Sequence, residues 1–219
     1  MVIILSGGLV KLFLIENNKM TSSQNLEKGA HNLLKNCANL STNQKLIIIS
    51  EDPSLGWYSN DITHYIKQFA SKMGIKTSIL EVGEPQNDSK SKLTNIIEDF
   101  DCALFFARIG DQDRFEKSHF KTKRVMSYVR NLENLGSTFG HTHHHSLIEL
   151  KKAINSIFSK GGLVKINCPL GTSVEGNLPQ TIIDESSDVG VLRFPMLVPT
   201  PVSAKTVSYT HLTLPTKLA

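Results

Sequence analysis

Cysteine is scarce in this chain of 219 residues, and the three cysteines, Cys37, Cys102 and Cys168, lie far apart. Their spacing matches no metal-ligand motif. The apolar run Val2–Leu5 has no basic segment before it and no small-residue cleavage site after it, unlike a secretory signal. It is also too short to span a bilayer. The sequence therefore predicts a soluble, cytoplasmic protein with reduced cysteines and no membrane partner.

Basic runs and glycine-rich loops are also missing. The formal net charge is only +4, and no basic run interleaved with aromatic residues marks a nucleic-acid surface. No glycine-rich loop follows a predicted strand to cradle a pyrophosphate, since Gly161 and Gly162 end a predicted helix. No serine elbow or Cys–His nucleophile pair is visible. These absences argue against a nucleic-acid partner, a nucleotide cofactor and a serine or cysteine hydrolase.

Both ends of the sequence are expected to be foreign to the natural protein. The sequence from Val207 onwards resembles the translated read-through of a sequencing-library adaptor, so we interpret residues 206–219 as a non-native tail. The natural gene is then expected to continue beyond about residue 205, and a native edge strand is the alternative. Residues 1–19 are interpreted as a leader translated upstream of a true start at Met20, with a native first strand as the alternative.

Strands alternating with amphipathic helices fill residues 20–162. Continuous apolar runs predict buried strands, and apolar positions at helical spacing predict helices. Ser22 and Ser23 are expected to cap the first helix and Asn60 the second, with Gly74 ending the second. The predicted strands are 45–50, 75–82, 102–107, 124–129 and 163–168, and the predicted helices cover 26–37, 62–73, 93–100 and 146–158.

This alternation predicts an α/β fold in which right-handed βαβ units form a parallel sheet with helices on both faces. The predicted strand 163–168 extends that pattern. After Cys168 the character changes, because prolines punctuate short strand-like pieces and no further helix follows. We therefore expect an α/β domain over residues 20–162 and the truncated start of a second, β-rich domain over residues 163–205.

Two loops are expected beyond the carboxyl ends of the strands, where open α/β sheets bind ligands. The first is residues 51–58, and the second runs from Arg108 to Arg114. Arg108 and Arg114 can present planar donors to a carboxylate, while Asp111 and Asp113 can orient the two guanidinium groups. The alternative, which the spacing alone favours, is a solvated loop linked by salt bridges in which Gly110 turns the chain.

A histidine-rich segment spans residues 141–145. Imidazoles at alternating or i, i+4 positions can hold zinc, copper or nickel. However, the nearest acid, Glu149, is four residues after His145 and lies on the same helical face. We favour the simpler interpretation, a polar entry to the helix that begins near Ser146.

Four sequence segments taken together resemble a known group. They are Gly29–Leu34, Lys45–Tyr58, Phe105–Phe115 and Cys168–Gly176. They are similar to the amino-terminal half of bacterial proteins related to aminopeptidase T, which are thermophilic-type metallo-aminopeptidases related in fold to a dihydroxypyridine ring-cleaving dioxygenase. The resemblance covers about residues 25–200.

The resemblance implies an α/β amino-terminal domain followed by a carboxyl-terminal domain that supplies the metal ligands. In the peptidases these are Glu, His and Asp side chains that hold two divalent ions. In the ring-cleaving relative, two His and one Asp hold a single iron. None of these ligands can be assigned to this chain, because the matching region lies beyond the expected break. The full-length parent is thus expected to bind zinc, cobalt, manganese or iron, and this fragment is expected to bind none.

The function implied for the parent is aminopeptidase-like hydrolysis of a peptide or small-molecule substrate by a metal-activated water. The parent could also form a homo-oligomer. The fragment itself is expected to be inactive. A non-heme iron ring-cleaving dioxygenase and a non-catalytic domain that binds a small molecule or partner are the alternatives. Ser173 stands where similar sequences often have Asp, which implies different substrate contacts. The candidate substrate-cleft residues are Arg108, Asp111, Arg114, Gly171 and Thr172.

Overall fold

The apolar runs of the sequence form the strands of two sheets. The computed structural model of the protein describes residues 2–5, 8–11, 23–85, 90–112, 120–167, 173–180 and 190–196. In chain order the strands are β1 (Val2–Leu5), β2 (Gly8–Lys11), β3 (Lys45–Glu51), β4 (Lys76–Val82), β5 (Cys102–Phe106), β6 (Lys123–Ser127), β7 (Gly162–Asn167), β8 (Ser173–Leu178) and β9 (Leu192–Phe194). The helices are α1 (Ser23–His31), α2 (Asn60–Lys72), α3 (Lys90–Ile97), α4 (Leu132–Gly136), α5 (Thr138–His141) and α6 (His144–Phe158).

A parallel sheet organises the larger of two units, which comprises residues 20–148 and 186–197. Its five strands lie in the order β4-β3-β5-β6-β9, and every neighbouring pair is parallel. All residues of β5 are buried, as are all residues of β3 after Lys45. Continuous apolar strands are needed here because helices cover a parallel sheet. The predicted α/β fold is confirmed.

The strand order reverses at β3. The chain passes from β3 to β4 on one side and then to β5 on the other side of β3. Right-handed crossovers in opposite directions place their helices on opposite faces of a sheet. Sheets of this kind bind ligands at such a reversal, outside the carboxyl ends of the two central strands. Because Ser50 pairs with Phe106, Glu51 at the end of β3 and Ala107 just after β5 lie side by side at this point.

Helix α2 shows how one apolar stripe fixes a helix on the sheet. Its buried residues include Ile62, Ile66 and Ala70, and the helix packs against β3 and β4. Gly74 follows the helix with φ +74°, a left-handed conformation that glycine adopts without strain. The predicted helix is therefore confirmed at its carboxyl end. At the other end the N-cap is Ser59, one residue before the predicted cap.

The first helix is joined to its neighbours by close contacts. Helix α1 continues as a π-helix over Asn32–Cys37. A Cβ added to Gly29 would collide with the main-chain carbonyl oxygen of Leu135, so α1 can approach α4 only because residue 29 is glycine. This contact explains a glycine inside a helix, where it otherwise costs stability.

A buried amide connects the π-helix to the start of α6. Asn32 is 2% exposed, and its Nδ2 donates to the carbonyl oxygens of Gly140 at 3.0 Å and Thr142 at 2.7 Å. Its Oδ1 accepts from the main-chain N–H of His144 at 2.8 Å and from Asn36 Nδ2 at 3.1 Å. A helix leaves its first N–H groups without intrahelical partners. Asn32 satisfies one of them and aligns the amino end of α6.

The structure differs from the sequence-based expectation at both ends of the 163–205 segment. Strand β7 pairs antiparallel with β1 and β8 in a separate sheet, so it does not extend the parallel pattern. Conversely, Leu192–Phe194, which the sequence assigns to the second domain, pairs in parallel with β6 as the fifth strand of the α/β sheet. Three residues are too few to show the periodicity of a strand, and their partner lies far away in the chain.

The smaller unit comprises residues 1–19, 149–185 and 198–219. Its described part contains an antiparallel sheet in the order β2-β1-β7-β8. Lys165 lies opposite Glu175 on neighbouring strands, and their side chains form an exposed ion pair at 2.7 Å. Within the described ranges, no helix combines the length and apolar character needed to cross a membrane.

Candidate functional site

Three loops of the α/β unit meet at the carboxyl edge of its sheet. They follow β3, β5 and β6 in the chain. The hydroxyl of Tyr58 donates to the carbonyl oxygen of Ser127 at 3.0 Å, and the main-chain N–H of Ser59 donates to the carbonyl oxygen of Arg130 at 2.9 Å. These bonds fix the first loop to the third. Because all three loops start from adjacent parallel strands, their side chains share one small area.

An ion pair occupies the point where the strand order reverses. The Nε of Arg108 donates to both carboxylate oxygens of Glu51, at 2.8 and 3.1 Å. The Glu51 side chain is 1% exposed and that of Arg108 is 32% exposed. A buried carboxylate is stable only with a charged or hydrogen-bonding partner. Glu51 therefore holds the Arg108 guanidinium at the carboxyl edge of the sheet.

The indole of Trp57 lies next to two guanidinium groups. The guanidinium carbon of Arg108 is 4.8 Å from the ring centroid, and that of Arg130 is 5.0 Å away. Both distances are within the range of a cation–π interaction. Trp57 is 41% exposed, which is unusual for the largest apolar side chain. The two cations are thereby held close together at an open surface in spite of their like charge.

Asp111 lies in the same turn as Arg108, a 3-10 helix directly after β5. Its Oδ1 accepts a hydrogen bond from the hydroxyl of Tyr128 at 2.7 Å. The two predicted cleft residues Arg108 and Asp111 are thus brought to the carboxyl edge. Among the described residues, the ion-pair partner that orients Arg108 is Glu51, however, and not Asp111. Arg114, Asp113, Gly171 and Thr172 lie outside the described residues.

Close packing beneath the site fixes the turn that carries Arg108. A Cβ on Gly110 would collide with the ring of Phe105, so this turn lies directly against β5. Nearby, Tyr58 is buried and packs edge-on against Phe106 with ring centroids 6.2 Å apart. Burial, together with the negative charge of Glu51, raises the pKa of the Tyr58 hydroxyl. Tyr58 therefore stays neutral and supports the loop as a hydrogen-bond donor.

The histidine segment is only partly polar. Helix α6 begins at His144, two residues before the predicted start, and His144 is 3% exposed. Its ring stacks on Phe194, and its Nδ1 has no hydrogen-bond partner in the described part of the chain. Burial, aided by His145 and His143, lowers the pKa of His144 from 6.5 to about 4. As the pH falls below 6.5 the unfolded chain binds this proton first, so stability is lost between pH 6.5 and about 4.

Metal-binding side chains do not converge in the described residues. No group of three or more His, Cys, Asp or Glu side chains there is placed to hold an ion. Cys37 and Cys102 are free and buried, and burial raises the pKa of each thiol to about 12. Thiols in this state are poor nucleophiles and poor metal ligands at neutral pH.

Comparisons with known proteins add no assignment: no family model matches the chain, and no curated protein matches it. A functional assignment therefore rests on the geometry of the site. The sequence singled out Arg108 and Asp111, but not Glu51, Trp57 or Arg130 as functional side chains. Glu51 ends an apolar strand, and Arg130 follows β6 just as Arg108 follows β5. Polar residues directly after predicted parallel strands were the available indication.

Proposed function

We propose that this chain is the substrate-binding, amino-terminal part of a cytosolic, metal-dependent hydrolase that removes amino-terminal residues from peptides. The observation that carries the proposal is the Glu51–Arg108 pair at the reversal of strand order. A buried carboxylate that orients a partly exposed guanidinium is suited to binding a substrate group. The sequence segments that resemble the aminopeptidase T group contain both Glu51 and Arg108, which supports the peptidase assignment.

The metal ligands of this hydrolase are proposed to come from outside the described residues. The described histidines do not fit a metal centre, because His144 is buried against Phe194 and no acid or thiol completes a set of three. No catalytic step is therefore assigned to the described side chains. Their proposed part is to bind and orient the substrate.

A cytosolic location is supported by the two described cysteines. Cys37 and Cys102 are free thiols in the core of the α/β unit. Proteins that fold in oxidising compartments commonly use cysteines in disulfides, whereas cytosolic proteins keep them reduced.

The test is to recover the natural gene beyond codon 205, to express the extended protein and to assay it with unblocked and amino-terminally acetylated peptides. The proposal predicts release of the first residue from unblocked peptides only, inhibition by a chelator and recovery with zinc, cobalt, manganese or iron(II). The 219-residue chain is expected to bind the same peptides without cleaving them. An extended protein that binds no divalent ion would overturn the proposal.

A non-catalytic binding protein is the second candidate. It is favoured by the described edge of the sheet, which offers two guanidinium groups, an indole and a tyrosine but no set of metal donors. An extended sequence without clustered Glu, His and Asp residues, together with peptide binding by the chain, would support this candidate over the hydrolase.

A further inference from the structure

We infer that Arg108 and Arg130, held beside Trp57, form a binding site for one oxyanion of the ligand, a carboxylate or a phosphate. The inference rests on the proposed function, because it names the substrate group that the carboxyl edge of the sheet binds. It concerns a site of three side chains from three different loops, each fixed to the sheet.

The hydrogen bonds of Arg108 leave part of its guanidinium available. Only Nε donates to Glu51, and the terminal nitrogens donate to no protein group in the described part of the chain. A guanidinium has five N–H donors in a fixed plane, so the four N–H groups on the terminal nitrogens of Arg108 take no part in the two bonds to Glu51. With its side chain 32% exposed, Arg108 can present these donors to a ligand.

Arg130 supplies the second positive charge. It is exposed, and no carboxylate of the described residues forms an ion pair with it. Two described acids at this edge of the sheet have other partners, since Glu51 binds Arg108 and Asp111 accepts from Tyr128. A bound oxyanion would neutralise this cation, for which the described part of the chain supplies no carboxylate partner. Arginine is suited to this task because its planar donors match carboxylate and phosphate oxygens.

Trp57 keeps the two cations in position before a ligand arrives. Both guanidinium carbons lie within 5.0 Å of its ring centroid. Two like charges beside one exposed ring repel each other, and an anion bound to both relieves that repulsion. Preorganised side chains also lose less conformational entropy when the ligand binds.

The chain reports on this site by itself, because Trp57 is its only tryptophan. We would titrate the full 219-residue chain with a dipeptide carrying a free carboxylate, its carboxyl-terminal amide, sodium acetate and inorganic phosphate. Tryptophan emission is followed at constant ionic strength. The variants are Arg130→Gln and Arg108→Lys, and the matched control is Lys76→Gln, which removes an exposed charge at the opposite, amino end of β4.

The inference is supported if the free dipeptide or acetate gives a saturable change in emission and if Arg130→Gln weakens the affinity about tenfold or more while Lys76→Gln leaves it unchanged. A tenfold loss of affinity corresponds to the loss of one charged hydrogen bond. Arg108→Lys is expected to weaken binding as well, since an ammonium keeps the charge but not the planar donors.

Other outcomes separate the oxyanion site from the peptide substrate. A response to phosphate alone, with the same effects of the variants, supports the oxyanion site and contradicts the peptide substrate. Equal binding of the dipeptide and its amide, or binding indifferent to Arg130→Gln, overturns the inference while leaving peptide binding intact. The absence of a saturable response to any anion overturns it too, and the hydrolysis assay of the extended protein then decides the proposed function separately.

Discussion

Removing the guanidinium of Arg108 tests the Glu51–Arg108 pair most severely. In Arg108→Gln the Glu51 carboxylate, 1% exposed, loses the donor that contacts both of its oxygens. Leaving one charge of a fully buried pair without its partner costs about 3–5 kcal/mol. Because the Arg108 side chain is 32% exposed, water replaces part of the lost interaction, and we expect a loss of about 2–3 kcal/mol.

Neutralising the other partner is expected to cost less. In Glu51→Gln the amide oxygen still accepts from Arg108, so the loss is about 1–2 kcal/mol. The double variant carries no buried charge without a partner. Its loss should therefore fall short of the sum of the single losses by about 1–2 kcal/mol, which is the coupling free energy of the pair.

Urea unfolding monitored by far-ultraviolet circular dichroism measures these free energies without depending on Trp57, which lies beside the site. Lys76→Gln serves as the control, since its charge is exposed and distant from the pair, and its stability should change by less than about 0.5 kcal/mol. Strictly additive losses, or an Arg108→Gln loss no larger than that of the control, would show that the buried pair does not organise the site.

Three further perturbations test the core around the site. Asn32→Ala should lower the free energy of unfolding in urea by about 3 kcal/mol, because two carbonyls, one of them buried, and a helix N–H lose their partner. Asn36→Ala removes one bond and should cost under about 1 kcal/mol, and similar losses in the two variants would refute the role of the buried amide. Lowering the pH from 6.5 to about 4 should reduce the free energy of unfolding by up to about 3 kcal/mol through His144, because the unfolded chain binds the proton first. His144→Gln should remove this component of the pH dependence, and an unchanged pH profile in that variant would contradict the burial of the imidazole. Gly29→Ala should lower the free energy of unfolding by about 2–3 kcal/mol in thermal unfolding, because its methyl group meets a carbonyl of α4. Gly56→Ala, which lies in open space at φ +74°, should lower it by about 1 kcal/mol, and the reverse order would contradict the close approach of α1 and α4.

The central strands could be predicted from the sequence because their environment dictates their composition. Both faces of β3 and β5 are buried, so each strand is a nearly continuous apolar run. Helix α2 was equally clear, since its buried face has helical periodicity and Gly74 marks its end. The position of strand β9 could not be predicted from the sequence, because Leu192–Phe194 is fixed by pairing with β6 and not by a local pattern.

The candidate site was predictable only in outline. The sequence placed Arg108 and Asp111 in a loop at the carboxyl edge, and they lie there. It could not identify Glu51 as the partner of Arg108, because 57 residues separate them and only the register of β3 with β5 brings them together. The role of Trp57 depends likewise on Arg130, which reaches it from a third loop. Local patterns do not encode contacts of this kind, whereas sheet topology does.

Ligand binding at the carboxyl edge, where the strand order reverses, is the proposal on which both the hydrolase and the oxyanion site depend. The most direct test is chemical-shift mapping of the 15N-labelled chain during titration with a dipeptide that carries a free carboxylate. If ligands bind at this edge, the largest saturable shifts are expected at the indole N–H of Trp57, the Nε–H of Arg108 and the main-chain amides of Ser59 and Asp111. Saturable shifts confined to the opposite edge of the sheet, near Lys45 and Lys76, would contradict it.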